Sequence, residues 1–448
     1  MNQNSFSKAC RDAGTEFALS RMSRIAVLAF LFLGCWASVS ADFQGSTHMM
    51  PFDEDTIAYS KTVANDAVMA LQKKLDSGEA TLKFEEDFGY ARSLLKELKV
   101  SESSQMLVFS KTSLQRERIT PQNPRAVFFS DDVYVGFIPG APLMEFATVD
   151  PKLGGVFYSI EQKKMERPRF VRNDQCLECH ASAKTMGVPG HLVRSFATDE
   201  AGIVDLASGT SLVNHRTPLA DRWGGWYVTG KHGDQLHRGN LIGAAAFERQ
   251  LKEPNHLGNV TDLGRFFDVS RHLRNQSDIV ALMIIEHQAH MHNFITRLQY
   301  ESTIAIQQYS HVNYLKNTVT AFLKYLLFTD EVQFTSPITS SSEFATHFTS
   351  LGPRDSKGRS FRELDMRTRL LKYPCSYLIY SAAFDALPKL IKSTIYTRLA
   401  DVLSGKDTSA DFQGLKPETR LAVAEILLDT KPDFAEFWKR SRSVAVSE

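Results

Sequence analysis

Five residues in this chain combine reactive side chains at a spacing that specifies one chemistry: Cys176-Leu177-Glu178-Cys179-His180. The pattern C-x-x-C-H reads as covalent attachment of one c-type haem. Cysteines three apart on a short helical turn can each add to a haem vinyl group. His180 is then held under the ring as the proximal iron ligand. Two other chemistries use part of this pattern. A structural zinc site needs two more Cys or His ligands at similar spacing, and the chain has no second CxxC. A thioredoxin-like dithiol opens a long helix, whereas here Ala181–Thr185 runs into Gly187 and Pro189.

Haem is attached outside the cytoplasm, so the N-terminus bears on the reading. Arg21 and Arg24 precede an apolar run from Ile25 to Trp36, and Val39-Ser40-Ala41 offers small residues for cleavage before Asp42. This is the pattern of a secretory signal peptide over residues 1–41. Twenty residues ahead of Arg21 are long for such a signal, which makes Met22 an alternative start to Met1. The apolar run is short for a membrane span, and no later stretch is longer. The expectation is a periplasmic or secreted protein with no integral membrane segment in the mature chain.

A sixth iron ligand would close the metal for electron transfer; its absence would open it to a gas or peroxide. The region after Ser277 carries Val280, Met283, Ile284, His287, Met291, Phe294 and Leu298 at helical spacing, an apolar stripe with His287 in its middle. His287 is the leading distal candidate, against the alternative of a satisfied core histidine. His232 and His237 rank next; His191 and Met186 lie close to the motif in sequence. Glu286-His287-x-x-His290-x-His292 also admits a second, non-haem metal, although it is not HExxH. Arg222-Trp223-Gly224-Gly225-Trp226-Tyr227 could wall a flat ligand, since glycines let backbone approach closely. Arg222 or Arg194 could pair with a haem propionate through a forked hydrogen bond. The alternative there is a packed aromatic corner. Nucleotide, acyl-transfer and calcium motifs do not occur.

The elements that must position these groups read as α+β. Helical periodicity covers Ala58–Leu75 and Asp87–Leu98. From Gln105 the runs MLVFS, AVFFS, VYVGFI, LMEFATV and GVFYSI, separated by turn residues, predict an antiparallel sheet to about Ile160. LVRSFATDEAGIVDL predicts a hairpin turning at Asp199–Gly202. Beyond Asp262 helices are expected at 278–309, with Ser277 as cap, and at 317–327, 365–372, 387–403 and 417–429. Segments 335–343 and 352–360 read as loops. The resulting division is an α+β haem domain over 42–265 with a mainly helical region over 266–448 packed on it as one unit.

Composition limits the remaining classes. The chain has 448 residues, 43% of them hydrophobic, with 52 basic and 51 acidic side chains. Residues 1–41 hold four of the basic and two of the acidic ones, so the mature chain carries a net charge of −1. That nominates neither nucleic acid nor a membrane surface as partner; a redox partner protein is expected instead. Of the five cysteines, Cys10 and Cys35 lie in the leader, two belong to the motif, and Cys375 has no disulfide partner. It reads as a buried thiol.

The strings SSQMLVFSKTSLQRERITPQNPRA, DDVYVGFIPGAP, VDPKLGGVFYSIEQ, CLECHASAKTMGVPGHLVRS, RWGGWYVTGKHG, SDIVALMIIEHQ, RDSKGRS and KYPCSYLIYSAAFDALP carry a resemblance across about residues 95–440. The chain resembles a family of exported bacterial proteins with a single CxxCH, known as cytochrome c domain proteins. The resemblance implies haem and export and says little of a reaction. The family often reads His-Met-Gly-Asn where this chain has His237-Arg238-Gly239-Asn240, which puts a methionine ligand at that position in doubt. One haem with no other cofactor motif leads to electron transfer as the expected role. A haem-based redox or gas sensor and an open-site, peroxidase-like enzyme are the alternatives.

Overall fold

The β-rich runs after Gln105 pair in sequence order. The computed structural model describes residues 48–445, so the expected signal peptide lies outside the described residues. Strands β1 (Met106–Val108), β2 (Arg125–Phe129), β3 (Val133–Phe137), β4 (Leu143–Asp150), β5 (Gly154–Glu161) and β6 (Val171–Arg172) form one six-stranded antiparallel meander. The β4–β5 turn is set by Asp150, whose Oδ1 accepts the Lys152 and Leu153 amides, and by Gly154 at φ +74°. Alternation then sends Val135, Phe137, Met144, Phe146, Val156, Tyr158 and Ile160 into the main core, beside Leu71, Leu94 and Leu95 of the N-terminal helices. Each such burial contributes about 1.5–3 kcal/mol.

The first helix starts at Ala67, later than the apolar spacing suggested, and runs to Ser77. Asp66 is the reason: one carboxylate oxygen caps the Met69 amide, and the other accepts Thr148 Oγ1 at 2.8 Å and Tyr158 Oη at 2.6 Å. Cap and sheet anchor are one side chain, and Val63, upstream of it, is 78% exposed. The second helix covers Ala91–Glu97. The hairpin of β7 (Arg194–Thr198) and β8 (Val204–Leu212) turns where expected.

The long helix Ile279–Tyr309 differs from the expected one-sided stripe, because every residue from Ile279 to Tyr300 is buried. It runs through the middle of the molecule, so its polar side chains find partners inside. Asp278, rather than Ser277, caps it through the Val280 and Ala281 amides. Ser277 instead accepts the Leu107 amide of β1 and donates to the Tyr227 carbonyl. Gln105 donates to the carbonyls of Arg274 and Gln276, so hydrogen bonds knit the sheet edge across the division expected near residue 265. The described residues cluster as one compact unit.

Further helices cover Lys316–Leu326, Phe344–Ser350, Lys389–Leu403, Pro417–Thr430 and Pro432–Ala445. No helix forms over 365–372. Asp365 accepts the Thr368 amide and hydroxyl, and Leu364 pairs with Leu371 in a tight reversal. Within the 335–343 segment read as loop, β10 (Thr339–Ser340) pairs with β9 (Gly230–Lys231). Among the described residues no helix is long and apolar enough to cross a membrane.

Candidate haem-attachment site

The chain leaves β6 at the sheet edge and enters the motif at once. Asn173 accepts the Gln175 amide at 3.1 Å, starting a turn over Asp174–Cys176 that continues as a helical turn Leu177–His180. Both thiols are free of disulfides; Cys176 is half-buried and Cys179 exposed. Burial, then the Glu145 carboxylate, pushes the Cys176 thiol up to about 11, so it is held as a neutral S–H.

His180 is oriented by its backbone surroundings. Its Nδ1 lies 2.9 Å from the Gly190 carbonyl, which makes that nitrogen the N–H donor. Nε2 therefore carries the lone pair, and among the described residues it has no hydrogen-bond partner. Burial holds His180 below the usual imidazole range, in the neutral form that binds metals. The Gly190 amide returns a bond to the His180 carbonyl at 2.8 Å. Asn293 of the long helix clamps the next residue, accepting the His191 amide at 2.8 Å and donating to its carbonyl at 2.7 Å. Phe157 of β5 packs on the His180 ring at 4.8 Å. The donor set suits a covalently held haem: two accessible thiols on one turn, and a neutral imidazole with a fixed tautomer whose second nitrogen is free.

The sheet's outer face lies beside this turn. At one end the long helix covers it: Gln288 donates to the Ser130 carbonyl and Tyr134 hydroxyl, and Tyr300 donates to the Leu153 carbonyl. At the other end Gly136, Glu145, Ala147 and Ser159 stay half-exposed. Gly136, Ala147 and Ser159 are small there, Glu145 is not, and Val171 at the edge is 62% exposed.

The other residues singled out from sequence go to different places. Arg194 stays by the motif, with its guanidinium 4.3 Å from the Phe196 ring and Nη2 on Thr210 Oγ1 at 3.0 Å. Burial lowers its pKa, and the Cys179 thiol beside it acts in the opposite direction. Arg222 is interior and fully engaged: it is ion-paired with Glu286 and bonded to the Thr217 and His215 carbonyls. A propionate would have to displace those partners, which removes Arg222 from the haem contacts. Its neighbours form a packed corner. Trp223 donates to Glu286, Trp226 to the Arg194 carbonyl and Tyr227 to the Pro121 carbonyl. Gly225, at φ +85°, lets the backbone carbonyl take the Phe109 and Ser110 amides. The close approach its sequence suggested is to protein backbone.

His287 is a satisfied core residue. Its Nδ1 is 2.9 Å from His215 Nδ1 and its Nε2 is 2.8 Å from Ser376 Oγ, between Tyr325 and Phe328. His237 Nδ1 accepts the Gly239 amide, and its Nε2 meets His232 Nε2, which also accepts the Asn259 amide. Both are buried. His290 packs against Tyr325 and Phe294, while His292 bonds the Asp131 carbonyl; neither faces solvent. Among the described residues no group of three or more His, Cys, Asp or Glu gathers to hold a metal ion.

Sequence reading missed Phe157, Gly190 and Asn293, which orient His180. Only Gly190, in the short run after the motif, carried any local signal. Comparison with protein-family models, curated proteins and solved structures returns no match.

Proposed function

We propose that this chain is an exported monohaem c-type cytochrome that transfers electrons through one covalent haem. The observation that carries it is the C-x-x-C-H turn with His180 Nδ1 tied to the Gly190 carbonyl and Nε2 free. Cys176 and Cys179 would each add across a vinyl group, sulfur to one carbon and the thiol hydrogen to the other, with no oxidant consumed. His180 would hold the iron and Arg194 a propionate. The bound group would supply a one-electron couple, and a redox partner protein would give or take the electron. Export through the leader places attachment in the periplasm.

The test is expression with haem-maturation machinery, followed by acid–acetone extraction. The wild type should stay red with a thioether-haem spectrum, and C176A/C179A should carry no covalent haem. Complete extraction of haem from the wild type would end this reading. One observation favours a second role, in which the iron also binds a small molecule: His287, His232 and His237 are all engaged by protein partners.

A further inference from the structure

A ring bound through His180 Nε2 has a second face, and the outer face of the sheet offers one residue row to meet it. Val171, Ser159, Glu145, Gly136 and Val127 are successive cross-strand partners over β6, β5, β4, β3 and β2. They therefore share one side of the sheet. Two charged side chains converge on the middle of this row. A Cβ on Gly136 would lie 3.6 Å from both Arg125 Cδ and Glu145 Cβ, so the missing side chain leaves the space those two flank. Arg125 Nη1 donates to Glu145 Oε2 at 3.1 Å. Gln115 Nε2 at 3.2 Å and Ser113 Oγ at 3.4 Å donate to the other carboxylate oxygen.

Glu145 is the one side chain of the row able to ligate iron, and three donors already hold it. The row contains no His, Met, Cys, Lys or Tyr. Arg125, by contrast, has an Nε–H that is buried without a partner. The row borders the motif: Phe157, two residues from Ser159 on β5 and therefore on the same side of the sheet, packs on the His180 ring at 4.8 Å, and Val171 lies in the strand that runs into the motif.

We propose that the Arg125–Glu145 pair faces the open coordination position of a haem held by His180, that the protein supplies no sixth ligand, and that the site takes a small anion such as azide, fluoride or hydroperoxide beside Arg125. The guanidinium donates in a fixed fork, which suits an anion bound to ferric iron. Glu145, Gln115 and Ser113 hold that fork in place. The proposal rests on the haem reading.

The experiment uses full-length protein matured with covalent haem, checked first by haem staining of a denaturing gel. The ferric protein should be high-spin and bind azide and fluoride saturably. Arg125→Leu should weaken both by about tenfold or more, the loss expected of a charge-assisted hydrogen bond. Arg125→Lys should recover part of that loss, and carbon monoxide binding by the ferrous form should persist in all three. A low-spin ferric spectrum that refuses azide would overturn the proposal, as would unchanged anion affinity in Arg125→Leu, which would return Arg125 to a propionate or to the fold. If that variant does not fold, Glu145→Gln should change azide affinity severalfold; an unchanged value overturns the proposal. A gel band without haem would instead remove the haem reading itself.

Discussion

Replacing His287 separates two accounts of the long helix with one pair of variants. Its ring spans His215 Nδ1 and Ser376 Oγ at 2.9 and 2.8 Å and stacks on Tyr325 with an interplanar angle of 5°. His287→Phe keeps an aromatic ring, slightly larger, and removes both hydrogen bonds. His215 Nδ1, buried, would then lack a partner at about 1–3 kcal/mol, and Ser376 Oγ, which still accepts the Leu378 amide, would lose one hydrogen bond at about 1 kcal/mol, so the expected loss is ~2–4 kcal/mol. His287→Ala adds a cavity under Tyr325 and Phe328, raising the expected loss to ~4–6 kcal/mol. Urea unfolding followed by circular dichroism reads these losses, and the optical spectrum of haem-loaded protein reads the iron. The expected outcome is a large stability loss with an unchanged Soret band in the folded variants. Conversion of a low-spin to a high-spin spectrum, with stability within ~0.5 kcal/mol of wild type, would refute it and make His287 an iron ligand.

Burial pushes the Glu286 carboxyl up to about 7 in spite of Arg222 and Trp223. A carboxyl whose folded pKa is raised favours the fold below its unfolded value and loses that contribution as pH rises through the folded one. Stability should therefore fall by up to ~3 kcal/mol between about pH 4.5 and 8, and Glu286→Gln should flatten that slope; parallel slopes in urea titrations would contradict it. A Gly190→Ala methyl would meet Asn293 Oδ1 well inside van der Waals contact. The clamp on His191 should loosen at a cost of ~1–3 kcal/mol, with a heterogeneous haem spectrum as the sign that His180 has lost its orientation. Cys375 is fully buried, and burial holds its thiol far above the ordinary range. Cys375→Ala should leave haem content unchanged, and a drop in covalent haem would show that the two motif cysteines are not sufficient. Limited proteolysis should release no stable half at residue 265, because Gln105 and Ser277 tie β1 across that point; two folded halves would contradict the single unit.

Local patterns carried the parts of this protein that depend on neighbours in the chain. The five β-rich runs became β1–β5, since alternation and turn residues act within a few positions. The C-x-x-C-H spacing likewise determined that two thiols and one imidazole share a turn, because helical geometry alone sets that arrangement. The long helix was legible in extent and illegible in surroundings. Its stripe marked one apolar face, but burial on all sides comes from the sheet on one hand and helices 316–326 and 344–350 on the other. Periodicity reports which side chains prefer the interior, and it cannot report that polar partners such as Ser376 and His215 wait there. For the same reason His287 looked like a ligand, and Arg222 like a propionate contact. The tautomer of His180 was decided by a carbonyl ten residues on, and that carbonyl's neighbour is held by a side chain from the long helix, more than a hundred positions away. Arg125 and Glu145 became a pair only through strand register, which brings together residues twenty apart in sequence. Spacing within one turn is local physics; hydrogen-bond partners across the chain exist only after the fold has brought them together.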